Sequence, residues 1–130
     1  MAAWIAQGAW ELMAGRCRTY ARVAREARAE PHLRCAGWIL GATFLILGIL
    51  DIASTNLALS RGAQEANLVV YTIMAWIGPY WVLPKLAFQG LVSAMVIWSP
   101  NRPTLAMMAF CCAWTAMVVH SNFGIAASLA

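Results

Sequence analysis

Residues 37–59, GWILGATFLILGILDIASTNLAL, constrain this chain more than any other stretch. They run for about 23 residues with one charge, Asp51, and at ~1.5 Å per residue span ~34 Å as a helix, enough to cross a bilayer core of ~30 Å. Hydrocarbon offers no partner to backbone N–H and C=O groups, so a lone segment of this kind has to be helical. One face carries Gly37, Gly41, Gly48, Asp51 and Thr55 at steps of three, four and seven. Gly37 and Gly41 form a GxxxG, the spacing that lets a second backbone approach closely in a membrane. Asp51 costs roughly 2.5–3.5 kcal/mol at mid-membrane on insertion scales, so it requires a partner.

The rest of the composition agrees. The chain is 62% hydrophobic and 11% charged, with a mean hydropathy of +0.67, whereas globular chains are about 25% charged. With 130 residues there is room for one small helical membrane unit. The net charge of +4 does not point to nucleic acid, because Arg16, Arg18, Arg22, Arg25, Arg28 and Arg34 all precede the first span. Positive charge there sets topology and predicts a cytoplasmic N-terminus. The four cysteines have neither zinc spacing nor a C-x-x-C, so free thiols are expected, buried ones acting as small hydrophobes. The opening MAAWIAQGAWELMAG lacks a basic n-region and is interrupted by Gln7 and Glu11, which argues against a cleaved signal peptide.

From about residue 3 to 29, Trp10, Met13, Cys17, Tyr20, Ala24 and Ala27 recur at steps of three or four, with arginines and glutamates between them. That is an amphipathic helix. With Trp4 and Trp10 it suits the cytoplasmic membrane interface, where Arg16, Arg18, Arg22, Arg25 and Arg28 face anionic headgroups; docking on a partner subunit is the alternative. Pro31 and His32 are expected to break this helix before the first span. After a polar loop at 60–67, residues 67–98 are mostly apolar but interrupted by Gly78-Pro79 and Pro84. One solution is a short re-entrant or interfacial helix at 68–77 followed by a span at 80–98; the other is two cramped spans. A last span covers 104–126. The predicted fold class is therefore an all-α membrane protein with three transmembrane helices (four in the alternative), with residues 1–34 as a separate interfacial helix and 35–130 as the bundle. The three-span solution returns Arg102 to the cytoplasm and leaves the C-terminus outside. It also brings Asp51, Lys85 and His120 to similar depth, so that Asp51 can meet Lys85.

Lys85, Gln89 and Ser93 form a polar stripe at i, i+4, i+8. On the last span Cys111, Thr115 and Asn122 fall roughly on one face, with His120 beside it. Together with Asp51 and Thr55 these residues suit a polar pocket opening to the outer side, serving a proton or ion relay or a polar ligand. They equally suit hydrogen bonding that fixes the bundle. His120 has no second positioned ligand for haem, and Met107, Met108 and Met117 are spaced irregularly for copper, so no metal or cofactor is predicted; contact with haem or pigment would come only through partners. No nucleophile elbow, phosphate loop or zincin motif occurs, and no catalytic residue is assigned. Trp38, Trp81 and Trp98 sit near span ends as interface anchors.

The pattern Asp51-x-x-x-Thr55, then Glu65-Ala-Asn67, then an intramembrane Lys85 resembles a family of small bacterial integral-membrane proteins of unknown function. Their pattern has D-x-x-x-T in the first span, an E-A-N-P loop and a lysine in the next span. The resemblance covers about residues 45–125, leaves the arginine-rich helix as an addition, and departs at Leu68, where the family carries proline. It implies that Asp51, Glu65, Asn67 and Lys85 act as one set, and it implies no activity. Two functions follow as expectations. The first is an accessory subunit of a larger bacterial inner-membrane complex, respiratory or photosynthetic, packing through Gly37, Gly41 and Gly48 and contacting lipid and other membrane subunits. The second is a homo-oligomeric carrier or channel for protons, cations or a small polar solute, with Asp51 and Lys85 as the working pair.

Overall fold

Glu30, just before Pro31, cannot easily be helical, and its backbone is extended (φ −81°, ψ 112°). This single residue separates two long helices. The computed structural model describes the backbone of residues 2–130 and the side chains of residues 10, 11 and 13–130; the Trp4 side chain lies outside them. Helix α1 runs Ala2–Ala29 and α2 runs Pro31–Ser60. Pro31 therefore opens the spanning helix rather than holding it apart from α1. At the first helical position a missing N–H costs nothing, because no carbonyl lies upstream to receive it. His32 accordingly sits in the first turn of α2, its Nε2 3.1 Å from Glu30.

The ambiguous region resolves into α3, Leu68–Ile77, and α4, Val82–Trp98, joined by one tight turn at Gly78–Trp81. Gly78 has φ +58° and ψ −133°, a conformation that ends α3 and is open to glycine but not to most residues. Ten residues rise only ~15 Å as a helix, half a bilayer core, so α3 cannot span by itself. Helix α5 is Arg102–Ser128. Among the described residues, three stretches are long and apolar enough to cross a membrane: Pro31–Ser60, Leu68–Trp98 and Arg102–Ser128. The protein is an all-α membrane protein with three spans.

Helix α2 is central: it packs along both α4 and α5, which scarcely meet each other. On the α5 side, Phe44 joins Met108 and Cys112, with Val96 of α4 completing the cluster. Most other large side chains, among them Ile46, Leu91, Phe110 and Trp114, are exposed around the perimeter, as lipid-facing residues must be. On the α4 side the glycine stripe is filled. Gly37 lies against Pro100, Gly41 against Ile97 and the Ser93 carbonyl, and Gly48 against the Gln89 amide. The Ser93 hydroxyl donates to the Gly41 carbonyl at 3.1 Å in a fully buried contact. Close backbone approach is what small residues supply in a medium without a hydrophobic drive between helices. The glycine face thus packs within the chain, which removes it as the docking surface expected for another subunit.

The end of the bundle near residues 99–101 is covered by α1. Ser99 and Pro100 are fully buried, and Asn101 caps α5 by accepting from the Thr104 N–H and hydroxyl at 3.0 and 2.8 Å. From α1, Ala24 and Ala27 are buried, and the Tyr20 ring stands 5.9 Å from Trp98. The Arg28 guanidinium donates to the Trp98 carbonyl at 2.6 Å and lies 5.2 Å from the centre of its ring. That carbonyl is among those at a helix C-terminus with no intrahelical donor, so one arginine satisfies it and holds α1 in place. Arg28 is thereby spent inside the chain, not on headgroups or a partner, whereas Arg16, Arg18, Arg22 and Arg25 are exposed. Arg28→Ala is expected to lose ~1 kcal/mol of docking and to speed tryptic cleavage at Arg22 and Arg25 about five-fold. Equal cleavage rates in the two proteins would mean that α1 is held some other way.

Candidate functional site

At the opposite end of the bundle, Asp51 on α2 and Lys85 on α4 form an ion pair: Nζ donates to Oδ2 at 2.6 Å, with 15% and 20% of the respective side chains exposed. Lys85 stands three residues into α4, the returning helix, and Asp51 nine residues before the end of α2. The tight turn at Gly78 sets where α4 begins and so brings the two level. The Lys85 ammonium also lies 5.2 Å from the centre of the Trp81 ring, and Trp81 is buried. An aromatic face gives a cation a second favourable contact. Trp81 is therefore part of the site and not an interface anchor; its place in the tight turn before α4, one turn ahead of Lys85, is the signal that would have found it.

The pair lines a cavity of about 250 Å³. Its walls come from α2 (Asp51, Thr55), the loop that follows (Glu65, Asn67), Lys85 of α4 and Asn122 of α5. The Asn122 amide donates to Thr55 at 3.1 Å and to Ser54 at 3.4 Å, tying α5 to α2 beside the pair. Glu65 and Asn67 are placed by local geometry. The Glu65 carboxylate accepts the Asn67 N–H at 2.8 Å, and the Asn67 side chain accepts from Val69 and Val70, capping α3. All six residues of the D-x-x-x-T, E-A-N and lysine pattern line this one cavity. Leu68 is the first residue of α3, the helical position where proline is most welcome, so leucine there costs the turn no hydrogen bond.

Five expected members of the polar cluster do not line the cavity: His120, Gln89, Ser93, Cys111 and Thr115. His120 is exposed on α5 and does not line the cavity; the helical repeat that turns Asn122 toward α2 turns a residue two positions earlier away. Gln89 is buried one turn deeper against Gly48, and its Oε1 has no hydrogen-bond partner among the described residues. Cys111 is exposed and Thr115 donates to its own helix at the Cys111 carbonyl, while the neighbouring Cys112 is the cysteine that faces α2. Arg61, just past α2, was absent from the expected set. Its guanidinium donates to the Ala126 carbonyl at 2.6 Å, closing the cavity end of α5 as Arg28 closes the far end of α4. No family model, curated protein or solved structure matches the chain.

Proposed function

We propose that this protein handles a small polar solute or ion in the membrane, with the Asp51–Lys85 cavity as its working centre. One observation carries the reading: the pair does not merely bridge two helices but forms part of the wall of an open cavity in which Glu65, Asn67, Thr55 and Asn122 stand among apolar neighbours such as Leu59, Val70 and Val118. A carboxylate has about four lone-pair sites and an ammonium three donors. A single contact between them leaves both able to bind something else. Because α4 and α5 scarcely touch, one copy encloses no path across the membrane, so passage requires several copies. The carrier or channel is a homo-oligomer of the bacterial inner membrane. Seven of the nine Lys and Arg residues (Arg16, Arg18, Arg22, Arg25, Arg28, Arg34 and Arg102) gather at the α1 end; by the positive-inside tendency that end is cytoplasmic and the cavity faces out.

Reconstitution into liposomes tests this. The protein should carry a monovalent cation or small polar solute above the empty-liposome rate, and Asp51→Asn and Lys85→Met should each cut that rate at least ten-fold. Flux that ignores both substitutions would end the role of the pair.

A second reading, an accessory subunit of a larger respiratory or photosynthetic complex, is favoured by the outer half of α1. Trp10 and Met13 there are 71% and 63% exposed, beyond the part that docks on the bundle. Stoichiometric partners in a mild-detergent purification from native membranes would support it.

A further inference from the structure

The cavity walls carry three charged groups: the Asp51 and Lys85 pair and, at the loop, the Glu65 carboxylate. We propose that the cavity binds a zwitterion, a molecule bearing an ammonium and a carboxylate or phosphate a few bonds apart; the inference rests on reading the cavity as a polar-solute site. The argument is one of charge balance. A singly charged ligand that displaces one member of the pair leaves the other without a counter-charge, in a medium where that is costly. A zwitterion exchanges one internal ion pair for two external ones, its ammonium on Asp51 and its anion on Lys85, and both members of the pair keep a counter-charge.

Three details fit. Glu65 is fixed at the loop side of the cavity by the Asn67 N–H at 2.8 Å, where a spare negative charge draws the ammonium end inward. Trp81 stays beside the Lys85 ammonium, giving it a partner while Asp51 is being exchanged. Thr55 and Asn122 supply neutral hydrogen-bonding groups beside the pair. The volume of about 250 Å³ holds roughly eight water-sized groups at ~30 Å³ each, which matches a small amino acid or the polar part of a zwitterionic lipid.

Those are two sources of one chemistry, and melting temperatures in nanodiscs separate them. In phosphatidylglycerol discs, β-alanine or glycerophosphoethanolamine should raise the melting temperature by roughly 4 °C at ten times Kd. Ethanolamine alone and inorganic phosphate alone should leave it unchanged. The rise should vanish in Asp51→Asn, in Lys85→Met and in the charge-free pair Asp51→Asn/Lys85→Gln, which keeps a hydrogen-bonded contact should either single variant fail to fold. If exchanging phosphatidylglycerol for phosphatidylethanolamine gives the same rise without added solute, the ligand is a lipid headgroup; if it gives none, the ligand is free in water. A rise with ethanolamine equal to that with the zwitterions would overturn the zwitterion assignment and leave the polar-solute reading in place. No rise with any probe or either lipid would overturn the zwitterion assignment, and liposome flux that ignores Asp51→Asn and Lys85→Met would overturn the polar-solute reading beneath it.

Discussion

Asp51→Asn and Lys85→Met should each destabilise the protein by about 2–3 kcal/mol, while Asp51→Asn/Lys85→Gln should lie within ~1 kcal/mol of the parent. Removing one partner of a buried ion pair leaves a charge that has lost its water and its counter-ion, at a cost of about 3–5 kcal/mol. Here the two side chains keep 15% and 20% of their surface, and cavity water reduces the cost. In the double variant the lone charge is gone and an amide pair can still bridge α2 and α4. Reversible unfolding in mixed micelles, followed by far-UV circular dichroism, of the parent, Asp51→Asn, Lys85→Gln and Asp51→Asn/Lys85→Gln gives the four corners of the cycle. Additive losses would mean that the 2.6 Å contact carries no coupling energy, and with it would fall the idea that the pair exchanges partners as a unit.

The spans were legible because hydrocarbon leaves so few options. An uninterrupted apolar run of that length must be a helix, and an aspartate within it must find a cation, which Lys85 supplies at matching depth. Depth comes from counting residues. Azimuth is harder: Asn122 and His120 differ by two residues and share a depth, yet one faces α2 and the other does not. Residues 102–128 give little warning of which, since a helix exposed to lipid over most of its perimeter lacks the polar side that orients a helix at a water surface. The loop was legible as a pattern but not as a mechanism. That Glu65 holds Asn67, and Asn67 caps α3, depends on a helix start that the apolar run from Leu68 onward conceals. Arg28 and Arg61 were unreadable for another reason: each satisfies a carbonyl at the end of a helix distant in sequence, Trp98 and Ala126, and a backbone acceptor has no sequence signature.

The α2–α4 seam sets the largest expected effect of a small change. The stripe Lys85, Gln89, Ser93 on α4 meets Asp51, Gly48 and Gly41 on α2, rung by rung. A methyl group at Gly48 would overlap the Gln89 amide, so this flexible side chain, 5% exposed, must shift within the seam to make room. Gly48→Ala should therefore cost about 1–3 kcal/mol, as overpacking does elsewhere. Gly48→Leu, which forces the helices apart and with them the ion pair one turn away, should cost more than ~3 kcal/mol. Adding Gln89→Ala to Gly48→Ala removes the overlapping group and the unpartnered Oε1 together, and should recover most of the loss. Gly90 is the control: it is on the same helix as Gln89, and an added methyl there meets nothing within 4 Å, so Gly90→Ala should be neutral or gain up to ~1 kcal/mol from helix propensity. If Gly48→Ala unfolds at the same denaturant concentration as Gly90→Ala, the seam is looser than the Gly48–Gln89 contact implies. In that case α4 is free to move against α2, and the cavity at its outer end is not a fixed receptor for any ligand.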